Sequence, residues 1–206
     1  MIIKTPKNSI IKNLRVYDLE ESIFACQYPM MTETYENMED VDDDILAKAF
    51  KTAKRLGNTS KGTGHDQYLT GVLVAFDLTL TNKAWVEMQR YNHVYHVSSC
   101  STIHKMAKFD YTINYDKNTD PRMIEIMKEL LEEYNNNPTK ENYLKLLHSN
   151  PAGFTLTARL TTNYRALKTV ISQRKNHKLP IWREFCSTMI NILPHFKELT
   201  GVSIDE

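Results

Sequence analysis

Residues 72–80 read VLVAFDLTL, and apolar side chains occupy every second position of this stretch. Successive side chains of a strand point to opposite faces of a sheet, so the alternation predicts a strand with one face in the core. Residues 154–160 (FTLTARL) follow the same pattern, and residues 10–17 follow it less strictly. The chain therefore has two clear strands and a candidate third.

Helix signals lie between and after these strands. Asn163 follows the second clear strand and can cap a helix that runs to about Arg174. Asp120-Pro121 and Asn137-Pro138 each pair a capping residue with proline, which favours a helix start, and a last helix begins near Pro180. This mixture of helices and strands predicts the α/β (α+β) class.

Length and composition indicate one globular domain over residues 1–206. Hydrophobic residues make up 41% and charged residues 25%, and 26 Lys and Arg against 25 Asp and Glu leave a net charge of +1. A near-neutral chain is not the composition expected of a protein whose main partner is nucleic acid. Three cysteines without a CxxC pair, and no apolar run long enough for a membrane, predict a cytoplasmic protein without membrane association.

Histidines are concentrated between residues 93 and 104, which raises the question of a metal site. His93, His96 and His104 lie there with Cys100 among them, but His93 and His96 fall in a predicted strand or loop, where residues three apart face opposite ways. No HExxH motif accompanies them. We therefore expect no metal, and a metal hydrolase built on the three histidines is the third of three hypotheses.

Two other stretches have residues suited to chemistry without a complete motif. Residues 98–101 (SSCS) are nucleophile-capable, but no GxSxG elbow surrounds them, and such a run more often caps helices or binds backbone. Residues 61–65 (KGTGH) have glycines but not the order of a phosphate-binding P-loop. We interpret them as an ordinary loop, with anion binding by backbone amides as a lesser alternative.

Two arginines stand nine residues apart on the helix that Asn163 starts. Nine residues turn an α-helix by half a rotation, so Arg165 and Arg174 are expected on opposite faces. One arginine can then serve a site while the other binds a partner subunit, or both are simply solvated.

Three blocks of the chain together resemble the flavin-dependent thymidylate synthase family. The first is Gly64-His65-Asp66 ahead of the strand at 72–80. The second is residues 85–104, WVEMQRYNHVYHVSSCSTIH, similar to the family's signature of arginines, histidine and serines. The third is residues 161–174, TTNYRALKTVISQR, followed by IWREF at 181–185. The resemblance implies a central, mostly antiparallel sheet flanked by helices.

The resemblance also implies roles for individual residues, each by its position in a block. The implied catalytic residues are Arg174 and Ser101. The residues implied at the cofactor are His65, Arg90, His93, Asn163 and Arg165, and those implied at the substrate are Ser99, Ser101 and Arg174.

What the resemblance implies about activity is transfer of a one-carbon unit to C5 of a pyrimidine deoxynucleotide such as dUMP. FAD is the implied cofactor, with NADPH and methylenetetrahydrofolate as co-substrates. Cofactors of this kind supply the reactive chemistry, and the protein orients them. The family is homotetrameric, with sites built from several subunits.

The chain departs from the family at two arginines that bind phosphate. The signature's final arginine falls at Ile103, and an upstream arginine falls near Leu147 or His148. No apolar side chain can replace an arginine fork as a phosphate ligand. Either His96, His104 or Lys105 takes over the anion, or the substrate differs. The alternative function is therefore a non-catalytic nucleotide- or nucleic-acid-binding protein on the same scaffold.

Overall fold

The chain forms one five-stranded sheet in the computed structural model, which describes residues 1–60 and 63–204. The strands are β1 (Ile2–Ile3), β2 (Ile11–Tyr17), β3 (Leu73–Thr81), β4 (Tyr95–Ser99) and β5 (Thr155–Asn163). Their order is β1-β2-β3-β5-β4, and every neighbouring pair is antiparallel. The expected mixed fold with a mostly antiparallel central sheet is confirmed.

Helices lie between the strands from β2 onward and after β5. They are α1 (Leu19–Ala25), α2 (Asp43–Gly57), α3 (Asn82–Met88), α4 (Thr102–Lys105), α5 (Pro121–Asn136), α6 (Lys140–His148), α7 (Tyr164–Arg174), α8 (Pro180–Ile192) and α9 (Phe196–Thr200). No helix in the described part of the chain is long and apolar enough to span a bilayer.

The alternation in β3 buries one face of the sheet. Val74, Phe76, Leu78 and Leu80 are fully buried in the main core with residues from α7, α8 and α9. On the other face Asp77 and Thr79 are half-buried, and Arg159 of β5 donates to Asp77 at 3.1 Å. One face of the sheet therefore carries the core, as the sequence pattern predicts.

A second, smaller core lies beneath the hairpin of α5 and α6. Its buried members are Met106, Tyr111, Met127, Leu146 and Phe154. Phe154 immediately precedes β5, so this cluster packs at the end of the sheet where β5 begins.

The strand register brings distant segments to the opposite end of the sheet. Leu73, which opens β3, pairs with Asn163, which closes β5, and Tyr95, which opens β4, pairs with Thr161. The segments before β3 and before β4 therefore meet the start of α7 at this end of the sheet.

Candidate functional site

A cleft of about 840 Å³ lies at the end of the sheet where β5 ends and α7 begins. It is lined by residues 66–70 ahead of β3, residues 90–93 ahead of β4, and residues of β5 and α7 between 163 and 174. Its walls come from sequence segments about 100 residues apart, so only the antiparallel register brings them together.

Asn163 fixes the start of α7 in the wall of this cleft. Its Oδ1 accepts a hydrogen bond from the backbone N–H of Ala166 at 2.9 Å, which satisfies one of the unpaired donors of the first turn. The predicted cap is confirmed, and α7 ends at Arg174 as expected.

Asp66 binds two cations at one end of the cleft. Its Oδ1 accepts from Arg165 Nε at 3.0 Å, and its Oδ2 accepts from Lys168 Nζ at 3.2 Å. The Lys168 side chain is only 9% exposed and also donates to the backbone oxygen of Gly57 at 2.7 Å. A lysine this buried requires a compensating carboxylate, and Asp66 supplies it.

Arg174 is held at the other end of the cleft. Its Nε donates to the hydroxyl of Tyr91 at 2.7 Å, and its Nη1 donates to Glu87 Oε2 at 3.0 Å. The guanidinium lies 4.9 Å from the Trp182 ring centroid and 5.5 Å from that of Tyr91, which is cation–π geometry.

The placement of Arg165 and Arg174 corrects the expectation that only one of these arginines serves a site while the other binds a partner subunit or is solvated. Both side chains line the same cleft. Nine residues of helix rise about 13 Å, so the two arginines stand at opposite ends of one elongated cleft. Long flexible side chains let both reach it despite the half-turn between their Cα atoms.

Arg90 and His93 line the cleft from the segment before β4. Arg90 is exposed, and its guanidinium forms no hydrogen bond or ion pair within residues 1–60 and 63–204. His93 has a φ of 61°, in the left-handed region that non-glycine residues seldom adopt, and its Nδ1 lies 3.2 Å from the Tyr95 hydroxyl. Thr162 donates to the His93 backbone oxygen at 2.8 Å and holds this turn against β5.

Three residues singled out in the sequence lie outside the lining of this cleft. His65 is exposed and precedes Asp66 in the turn ahead of β3. Ser99 is exposed at the end of the edge strand β4, and Ser101 precedes α4 without a side-chain capping bond. Of the loop considered for anion binding, Lys61 and Gly62 lie outside the described residues.

The histidines near residue 100 do not converge on a metal position. His96 packs edge-on against Trp85 with ring centroids 5.1 Å apart, and burial lowers its pKa. Across the described residues, no group of three or more His, Cys, Asp or Glu side chains could hold a metal ion. Cys100 is exposed, whereas burial raises the pKa of Cys186 to about 12, with Arg174 acting in the opposite direction.

Three residues of this site were missed as site residues in the sequence: Asp66, Glu87 and Lys168. Lys168 had a readable signal, because Tyr164, Leu167, Lys168 and Ile171 follow the i, i+3, i+4, i+7 spacing of a buried helix face. A lysine at such a position predicts a buried carboxylate partner. Nothing local to Asp66 or Glu87 identifies either as that partner.

The donor set of the cleft suits a phosphorylated ligand that also has a ring. Four cations, Arg90, Arg165, Lys168 and Arg174, stand against two carboxylates, Asp66 and Glu87. The balance is positive, which attracts anions. Tyr91, Asn92 and Asn163 add an aromatic surface and amides that can orient a heterocycle.

Comparison with solved structures identifies the same architecture in a known enzyme. The chain superposes on the flavin-dependent thymidylate synthase ThyX of Helicobacter pylori, solved with FAD and dUMP, with a TM-score of 0.68 and 13% identity, over 92% of this chain and 96% of that one. A second structure of that enzyme with FAD and dUMP gives a TM-score of 0.65 and 15% identity, over 90% and 94% of the two chains. At this identity the similarity shows a shared fold. No family model matches the chain, and no curated protein does.

Proposed function

We propose that this chain is a flavin-dependent enzyme that transfers a one-carbon unit to C5 of a pyrimidine deoxynucleotide, a thymidylate synthase or a close variant. The observation that carries the proposal is the cationic cleft at the end of β5. Arg90, His93, Asn163, Arg165 and Arg174, placed at the ligands by the sequence resemblance, line that one cleft. The whole-chain match to an enzyme solved with FAD and dUMP supports the same proposal.

In this proposal each end of the cleft has its own ligand. Arg165 and Asn163, steadied by Asp66 and the cap of α7, hold the flavin with Arg90 and His93. Arg174 contacts the pyrimidine. FAD, when bound, supplies the reducing hydride, with NADPH and methylenetetrahydrofolate as co-substrates. The protein's own contribution is to orient the rings and to stabilise negative charge that develops on a ring carbonyl.

We also propose that a neighbouring subunit completes the site in a homotetramer. Ser99 and Ser101, the serines assigned to the nucleotide, lie outside the lining of this chain's cleft. Ser99 is exposed, as are all five residues of its strand β4 at the sheet edge. Such an edge is available to another copy, which would bring these serines to a cleft other than their own.

A second candidate function is nucleotide binding without catalysis. Ile103, at the place of a phosphate-binding arginine in the resemblance, is 62% exposed on α4. Leu147, near the place of the other, packs in the small core under α5 and α6. Neither apolar side chain can bind phosphate, whereas the exposed His148 next to Leu147 is a polar alternative. This candidate predicts that the protein binds a nucleotide and shows no flavin turnover.

The test is the visible absorbance spectrum of the purified protein, before and after addition of FAD, followed by titration with dUMP. We expect flavin absorbance that survives gel filtration and changes when dUMP binds. Arg174→Ala should abolish turnover while preserving the circular dichroism spectrum. Arg122→Ala is the matched control, because within residues 1–60 and 63–204 Arg122 pairs only with the exposed Asp120, outside the cleft.

A protein that takes up neither FAD nor dUMP would contradict the proposal. Binding of dUMP without flavin would favour the second candidate. Turnover retained by Arg174→Ala would remove the role given to that arginine, whatever the reaction.

A further inference from the structure

Glu87 lies at the centre of the contacts that hold Arg174. Its Oε2 accepts from Arg174 Nη1 at 3.0 Å and from the indole Nε1 of Trp182 at 2.9 Å. His177 Nε2 lies 3.4 Å from the same oxygen. Because His177 Nδ1 accepts from the Leu179 backbone N–H at 3.2 Å, a neutral His177 carries its proton on Nε2, the ring nitrogen near Glu87. The carboxylate thus joins α3 to α7, α8 and the loop between them.

This arrangement leaves Arg174 little freedom to move. Its side chain is 16% exposed, its Nε is bound to Tyr91, and its plane packs against Trp182 and Tyr91. Glu87 and Tyr91 take two of the five N–H donors of the guanidinium. The Nη2 group has no protein acceptor among the described residues, and Arg174 lines the cleft. The arginine therefore presents a small, fixed set of donors to a ligand.

The ion pair also changes which ligand group Arg174 suits. A guanidinium whose charge is offset by a half-buried carboxylate attracts a phosphate dianion less than a free one does, and a second anion would lie close to Glu87. It remains a good donor to a neutral carbonyl oxygen. Arg90, exposed and without an acidic partner in the described chain, is the better placed cation for an anionic group.

We infer that Glu87 is a positioning residue that fixes Arg174 for a neutral ring carbonyl of the substrate rather than for its phosphate. The inference deepens the proposed function and rests on it for the identity of the ring. Glu87 itself need not touch the ligand. It acts by fixing the orientation of Arg174 and by lowering the net positive charge of the Arg174–Glu87 pair.

The first experiment measures the restraint on Arg174 without any ligand. In ¹⁵N-arginine spectra of the full-length protein, assigned with Arg174→Lys, we expect slow rotation about Nε–Cζ and two resolved Nη signals for Arg174. Glu87→Gln preserves the size of the side chain and one acceptor but removes the charge, so these signals should broaden or merge. Glu133→Gln, which breaks the exposed pair with Lys145, is the matched control and should leave them unchanged.

The second experiment separates positioning from a merely structural role. In Glu87→Gln we expect kcat to fall about 10- to 100-fold through misplacement of Arg174, while KM for dUMP stays the same or falls. Inorganic phosphate, used as a competitor of dUMP, should bind severalfold more tightly, because the positive charge of Arg174 is no longer offset by the Glu87 carboxylate. A structural defect would weaken both the turnover and the binding.

The outcomes separate this inference from the proposed function. If the wild-type protein neither binds FAD nor turns over dUMP, the proposed function fails. The arginine spectra still test whether Glu87 restrains Arg174, and the phosphate affinity still tests whether Glu87 offsets its charge. Free rotation of Arg174 in the wild-type protein overturns the inference. So does a Glu87→Gln variant with wild-type kcat, or one that binds phosphate more weakly.

Discussion

At the scale of single residues, the cleft depends on two carboxylates that were not conspicuous in the sequence. Asp66 balances Arg165 and Lys168, and Glu87 balances Arg174. Each of the two side chains exposes less than one fifth of its surface. Removing either carboxylate would leave a cation of low exposure without its ion-pair partner, which is destabilising.

Asp66→Ala is predicted to destabilise the protein through Lys168. The lysine ammonium would stay buried with only the Gly57 carbonyl as a partner. Loss of one partner of a buried pair costs about 3–5 kcal/mol of unfolding free energy. Urea denaturation measures the change. Asp66→Ala combined with Lys168→Met should recover most of the loss, and a single variant within about 1 kcal/mol of wild type would show that Lys168 finds water instead.

At the scale of elements, the junction of β5 and α7 connects the sheet to the site. Asn163 is both the last residue of β5 and the cap of α7, and no loop separates the two. The backbone N–H of Tyr164 donates to the Val72 oxygen at 3.1 Å, which ties the junction to the start of β3. A rigid element terminus of this kind positions side chains more accurately than a loop does.

Asn163→Ala is predicted to cost about 1 kcal/mol of unfolding free energy, because the N–H of Ala166 loses its acceptor. Asn163→Asp keeps an acceptor at that place and should retain the stability. Urea denaturation followed by circular dichroism checks both.

A matched variant distinguishes the cap from the cleft. Thr139 caps α6 by accepting from the Asn142 N–H at 3.2 Å, away from the site. Thr139→Ala should lose a similar free energy and leave FAD and dUMP binding unchanged, whereas Asn163→Ala should weaken ligand binding as well. Equal binding by the two variants would restrict Asn163 to its capping role.

At the scale of the whole molecule, several cysteine thiols and tyrosine hydroxyls are buried or half-buried in their protonated form. Burial raises the pKa of Cys26 from 9.0 to about 11, and that of Cys186 from 9.0 to about 12. Burial likewise raises the pKa of Tyr111 from 10.0 to about 12. The pKa values of Tyr68, Tyr115 and Tyr164 are also raised, with burial the largest cause. These residues come from both hydrophobic cores.

The protein is therefore predicted to lose stability as the pH rises from about 9 towards 12. Above pH 9 the unfolded chain releases protons that the folded chain retains, so the unfolded state binds fewer protons and the unfolding free energy falls with pH. Urea midpoints at pH 8, 9.5 and 10.5 should decrease in that order. Tyr164→Phe, which removes one titrating group, should make the decrease shallower at its upper end. A flat profile would contradict the raised pKa values.

Local chemistry alone was sufficient for much of this fold. The alternation of β3 and β5, the cap at Asn163 and the proline-marked starts of α5 and α8 were readable because each depends on neighbours within a few residues. The sequence resemblance, carried by three blocks, implied the antiparallel sheet that the structure has.

Only the tertiary structure determined which charged side chains pair with one another. Asp66 and Lys168 are about 100 residues apart, and so are Glu87 and Trp182, and no local pattern connects such positions. Helical periodicity placed Arg165 and Arg174 on opposite faces, yet both line one cleft. The reason is that the register of β3, β4 and β5 determines where the segments that line the cleft lie. Periodicity determines the face of the helix or strand from which a side chain projects. Strand pairing determines which residues of other segments that side chain contacts.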